Sequence, residues 1–159
     1  MALGKLTEKP FKISQKFWNK LIVNWIDIYK QSWLNWHNGI DYATPSWTKL
    51  LATINWTIEV VNQRKQWYGL YVKIFKKRDD WITEVIYAHL TSTPLKTWDT
   101  VTIWQYIWIS WWNKSSPTSW TSTWAHLHFW LRFRDLSNNI LNSDNWYKWW
   151  VDPLSFFSK

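Results

Sequence analysis

Residues 121–134 read Thr-Ser-Thr-Trp-Ala-His-Leu-His-Phe-Trp-Leu-Arg-Phe-Arg, with His126-Leu127-His128-Phe129 at the centre. From His126 to Phe133 the residues are β-formers, apolar or aromatic on both parities, which predicts a strand. Residues i and i+2 of a strand share a face, so His126 and His128 are expected side by side. Two imidazoles on one rigid face can bind a single metal ion, or divide into a ligand and an acid–base group. A half-buried strand that merely carries two histidines reads equally well from this pair alone. The rest of the chain decides.

Further strands are expected on the N-terminal side of this stretch. Residues 11–17 alternate as a first strand, and 19–36 have no clear period and read as a long loop. Residues 49–54 and 57–62 flank Asn55-Trp56, a two-residue hairpin turn if position 56 were glycine. Residues 70–76 and 82–90 flank a charged hairpin tip at 77–81. The second of these strands carries Tyr87-Ala88-His89-Leu90, with Tyr87 and His89 expected on one face. A turn at 94–99 and short strands at 101–103 and 106–110 lead into a Ser/Thr/Pro-rich loop at 111–124. Beyond the histidine strand, 135–145 is a polar connection and Val151-Asp152-Pro153-Leu154 closes the unit. No helix of convincing length and no repeat is visible. The expectation is an all-β, mainly antiparallel domain over residues 11–157, behind a loose leader at 1–10.

The 159 residues suffice for one domain with a proper core. The absence of cysteine excludes a disulfide framework and a thiolate zinc site. The first thirty residues contain no apolar run of signal-peptide length, and no stretch is long enough to span a membrane. A formal charge of +8 suits an acidic partner, but the basic residues are scattered and ordinary solubility explains them as well.

Tryptophan usage stands apart: 19 tryptophans against 3 glycines. Eleven of the 19 directly follow Asn, Ser, Asp or Thr, as at Asn24-Trp25, Asn35-Trp36, Ser46-Trp47, Asn55-Trp56 and Thr97-Trp98. Asn-Gly, Asp-Gly and Ser-Gly are the dipeptides of turns between strands; Asn-Trp is not. Tryptophan stands where a β-rich protein wants glycine. The expectation is that most of these positions are glycine in the natural protein, through an opal codon that different genetic codes read as stop, Trp or Gly.

The four histidines are His37, His89, His126 and His128, and each lies in or beside an expected strand. His37 and Asp41 stand four apart in His37-Asn38-Gly39-Ile40-Asp41, where Gly39 beside Asn38 predicts a turn running into a strand. Catalytic zinc sites use three N/O ligands and leave a position for water, so a His/Asp/His set with two spare imidazoles fits that chemistry. The pattern leaves open which histidine does what.

The set His37-x-x-x-Asp41, Tyr87-Ala88-His89-Leu90 and His126-x-His128-Phe129 resembles the lysostaphin-like (LytM-type) zinc endopeptidases that cut peptidoglycan peptides. With Trp read as Gly, the likeness covers nearly the whole chain. Trp36-His37-Asn38-Gly39-Ile40-Asp41 matches Gly-His-x-Gly-x-Asp, and Trp98-Asp99 with Trp104-Gln105-Tyr106-Ile107-Trp108 matches paired Gly-Asp and Gly-Gln-x-Ile-Gly turns. Asp152-Pro153 matches an Asp-Pro near the family's C-terminus.

The resemblance implies an antiparallel β-fold with an open groove. It implies Zn2+ held by His37, Asp41 and His128. His89 and His126 would be the catalytic pair, one activating water and the other stabilising the tetrahedral intermediate. The implied partner is a peptidoglycan peptide stem or cross-bridge, with no nucleic acid. A monomer acting in an extracellular, periplasmic or cell-wall location is expected, although no signal peptide is visible. A phage-borne enzyme and a trimmed chain both fit. An insert at 113–118 lengthens a loop beside the groove. The competing readings are an inactive wall-binding relative and a Trp-rich module that stacks sugars or bases.

Overall fold

Along residues 70–77, Leu70, Val72 and Ile74 are buried and the residues between them are less so, the alternation of a strand with one face on a core. The computed structural model describes residues 2–31, 34–63, 68–110, 125–141 and 150–158. Within them run β1 (Ile13–Gln15), β2 (Ile22–Val23), β3 (Ile26–Asp27), a one-turn helix α1 (Ile28–Gln31), β4 (Ile40–Tyr42), β5 (Thr48–Leu51) and β6 (Trp56–Asn62). There follow β7 (Leu70–Lys77), β8 (Ile82–Ser92), β9 (Thr100–Val101), β10 (Tyr106–Ser110) and β11 (Leu127–Arg134). A single 3-10 turn, Pro153–Phe156, is capped by the Asp152 carboxylate accepting from the Leu154 amide.

One sheet takes nine of these strands in the order β1-β4-β11-β8-β7-β6-β9, with β10 joining β8 to β5. Every pairing is antiparallel. The fold class is therefore the one expected.

The sheet has two unlike faces. Leu127, Phe129 and Leu131 of β11 and Val85 and Tyr87 of β8 join Val72, Ile74 and Ile58 in the main core. Tyr87 is anchored there, its hydroxyl accepting from the Thr53 amide at 2.8 Å and donating to the Leu51 carbonyl at 3.2 Å. The alternate residues, Trp130 of β11 and Ile86 and Ala88 of β8, form a second cluster with Phe17 and Trp150 on the opposite face. Farther along β11, the fully buried Glu84 carboxylate accepts from Arg132 at 2.7 Å and from Arg134 at 2.6 Å. Arg132 lies directly opposite Glu84, so this clasp holds β8 and β11 in register.

The hairpin with its tip at 77–81 forms as expected, closed by the Arg78 amide on the Trp81 carbonyl. Three local expectations are corrected. Asn55-Trp56 does not join two paired strands: β5 pairs with β10, whereas Trp56 opens β6 opposite Val101 of β9. The long loop at 19–36 contains the β2–β3 hairpin and α1. The leader is held rather than loose, with Leu3 and Leu6 buried and the Leu3 amide on the Phe156 carbonyl. Burial of Leu3 and Leu6 offsets part of the entropy lost in ordering this segment. The loop at 111–124 lies outside the described residues.

A fourth correction concerns His89. Leu70 pairs with Leu90 but Val72 pairs with Tyr87, so β8 carries one residue more than β7 between these pairs. Such a bulge breaks the two-residue alternation. Tyr87 and Leu90 both enter the core, and His89 turns to the other face, toward His126 and His128. It does so at φ 62°, the left-handed region that a side chain with a Cβ enters at a cost of roughly 1–2 kcal/mol. Replacing His89 by Gly should therefore leave the protein about 1 kcal/mol more stable than replacing it by Ala, because only Gly removes that cost. Urea unfolding of the two variants checks this, and equal midpoints would show that the bulge carries no strain.

Candidate metal centre

Three strands build the site. In the antiparallel pairing of β4 with β11, Asp41 stands directly opposite His128, and on the other side of β11 His128 stands opposite Ala88. His37 precedes β4, and its imidazole reaches Asp41, four residues on within that strand. The fold thus brings together the three residues singled out as metal ligands.

Their donor atoms converge. His128 Nδ1 lies 2.7 Å from Asp41 Oδ1, His37 Nε2 lies 3.2 Å from the same oxygen, and the two imidazole nitrogens are 3.1 Å apart. All three residues are buried. Ligand atoms each roughly 2.0–2.1 Å from a tetrahedral zinc stand about 3.3 Å from one another, so the cluster fits such an ion. His37 Nδ1 donates to the Lys16 carbonyl at 2.9 Å, which leaves Nε2 with its lone pair turned to the site. Two imidazoles and a carboxylate are among the donor sets that catalytic zinc takes.

The other two histidines lie beside this group. The His89 and His126 ring centroids are 4.7 Å apart, His89 is 5.9 Å from His128, and His126 Nε2 lies 3.9 Å from Asp41 Oδ1. His126 is adjacent to β11 and not in it, yet its imidazole reaches the cluster. All five residues named from the sequence therefore meet at one place.

Gly39 has a different role from the turn expected of it. A Cβ there would meet the Phe129 carbonyl at 2.7 Å and His128 Nε2 at 2.8 Å. Glycine lets the ligand loop lie directly on β11. No residue pattern pointed to Tyr68, whose hydroxyl accepts from the Asn38 side-chain amide at 3.4 Å and whose ring stacks 6.0 Å from that of His128. Nor could it show the Lys16 carbonyl, since a backbone acceptor leaves no residue-type signal. A cavity of about 660 Å³ among Gly4, Leu6, Phe11, Tyr42 and Phe157 shares no lining residue with the histidines.

The electrostatics follow from burial. Burial pushes the Asp41 carboxyl up, but His128 and His37 outweigh it and hold the group well below the usual carboxylate range. Burial, reinforced by His126 and His128, holds the His89 imidazole well below its ordinary value. Burial also lowers His128 to about 4, against the opposing pull of Asp41. In the metal-free protein the unfolded chain therefore binds protons at His89 and His128 before the folded one does. Stability is fully present above the ordinary histidine value of about 6.5 and falls as pH drops below it, by up to about 1.4 kcal/mol per pH unit for each histidine. The urea midpoint should accordingly be lower at pH 5 than at pH 7. An unchanged midpoint would show that neither imidazole is held neutral.

No protein-family profile matches the chain, and no curated protein matches it. Solved structures do. A zinc containing peptidase from Vibrio cholerae aligns with a TM-score of 0.62 at 21% identity, over 89% of this chain and 39% of that one. The catalytic domain of the antimicrobial peptidase lysostaphin from Staphylococcus simulans aligns with a TM-score of 0.63 at 20% identity, over 92% of this chain and 91% of that one. The catalytic domain of the prophage-encoded M23 protein EnpA from Enterococcus faecalis aligns with a TM-score of 0.62 at 22% identity, over 90% and 96%. The chain spans well under half the length of the Vibrio cholerae peptidase and of Helicobacter pylori Csd3, of which it covers 35%. The chain has the fold of the lysostaphin-like, M23-type peptidases.

Proposed function

We propose that residues 11–157 form a zinc-dependent endopeptidase domain that hydrolyses peptide cross-links of bacterial peptidoglycan. The observation that carries this reading is the meeting of His37, Asp41 and His128 within 4.8 Å of one another, with two further imidazoles beside them. The shared fold with a zinc containing peptidase and with lysostaphin supports it.

His37, Asp41 and His128 would hold the ion. Zinc, when bound, lowers the pKa of a water toward 7 and polarises a substrate carbonyl. His89 and His126 do the remaining work. One of His89 and the adjacent His126 can accept a proton, and the other can donate a hydrogen bond where charge develops on the carbonyl oxygen. The substrate is a peptide stem or cross-bridge, and the formal charge of +8 suits an anionic wall. The protein acts as a monomer outside the cytoplasm, in the wall, periplasm or medium.

Replacing His37, Asp41 or His128 by Ala should abolish stoichiometric zinc and, with it, lysis of purified peptidoglycan. Full zinc occupancy in His128→Ala would remove that residue from the ligand set. His89→Ala and His126→Ala should keep one zinc per chain while turnover falls by about 10²–10⁴-fold, because these groups act on the transition state. Activity within a few-fold of the parent would take the substituted histidine out of the mechanism.

A further inference from the structure

Among the described residues, nine that are not glycine have positive φ: two asparagines, His89 and six tryptophans. Asparagine tolerates this region, and His89 sits on the bulge. The six are Trp18 (73°), Trp25 (66°), Trp47 (70°), Trp56 (143°), Trp98 (80°) and Trp104 (67°). With 19 tryptophans in 159 residues, chance would put about one among the nine.

The hydrogen bonds show why the backbone takes this shape. The Asn19 amide bonds the Lys16 carbonyl, Thr48 bonds Pro45, Asp99 bonds Lys96 and Gln105 bonds Thr102. Each is a four-residue turn with tryptophan third, and in each the second residue has negative φ. That is the type II turn, whose third position needs φ near +80° and takes Gly or Asn. In the β2–β3 hairpin, Val23 pairs with Ile26 across Asn24-Trp25, and both central residues have positive φ. That is the type I′ turn, which favours Asn-Gly. Trp56, at 143°, lies where essentially only glycine goes.

The six indoles gain little in return. They are between 48% and 97% exposed, whereas Trp130 and Trp150 are buried in the second cluster. From these turns we infer that positions 18, 25, 47, 56, 98 and 104 are glycine sites, and that the natural polypeptide carries glycine there. The inference rests on backbone conformation and is independent of the enzymatic reading.

Two measurements test it. Melts compare the chain carrying Trp→Gly at all six positions with the chain carrying Trp→Ala at the same six. Both variants remove the indoles, but only glycine fits positive φ, so the glycine protein should melt roughly 10–20 °C higher. A glycine protein melting no higher than the alanine one would overturn the conformational assignment. If neither variant folds, the gene decides: codons that the source organism translates as glycine at the six positions support the inference, and UGG codons overturn it.

Discussion

Asp41 and His128 face each other across β4 and β11, and the rest of the site depends on that register. A strand slipped by one residue turns every side chain to the opposite face, which would put His128 in the main apolar core and Phe129 among the histidines. The register is held by the other face of the same strand, where Leu127, Phe129 and Leu131 are fully buried. The apolar alternation therefore positions the polar residues. A buried carboxylate is costly unless opposite charge and hydrogen bonds surround it. Here His37 and His128 supply the hydrogen bonds, and the same convergence makes a ready cradle for a cation that would supply the charge.

A sheet with strict alternation could not bring His89 to this cradle while Tyr87 and Leu90 remain in the core. The bulge at Ala88–His89 resolves the conflict by adding one residue to β8. It stores strain at a residue that lies among the clustered histidines, and Tyr87 fixes one end of the distorted segment through its bonds to Thr53 and Leu51. The Glu84–Arg132–Arg134 clasp holds the regular part of the β8–β11 ladder. Losing one arginine would leave a buried charge short of a partner, and breaking a buried pair costs about 3–5 kcal/mol. Irregular backbone at the site and ionic pairing away from it thus belong to one arrangement.

The turns act on the same geometry at a distance. The amide of Trp18, at the third position of its turn, bonds the carbonyl of His37, so the turn after β1 helps fix the position of His37. Trp98 similarly donates to Ile58, and Trp104 to Ala52. Residues that seem mere connectors therefore set where strands begin. A bulky side chain at positive φ in such a turn strains the elements that carry the site.

Local chemistry made much of this legible in the sequence. His126-x-His128 on a strand, His37 four residues before Asp41, and strands broken by turn-type dipeptides are short-range patterns, and each depends only on neighbouring residues. The antiparallel fold class, and the five residues that meet in space, were named from them and from the family likeness they carry. Tertiary structure alone decided the rest. Whether β5 pairs with β6 or β10 depends on sheet partners distant in sequence, and Asn55-Trp56 looks like a hairpin turn because dipeptides do not encode partners. Gly39 looks like a turn glycine until the Phe129 carbonyl and the His128 ring are seen against it. Tyr87 and His89 share a parity, and only the extra residue in the β7–β8 ladder sends one to the core and the other to the metal face. Periodicity determines faces within a regular strand, but pairing across strands determines where that regularity breaks.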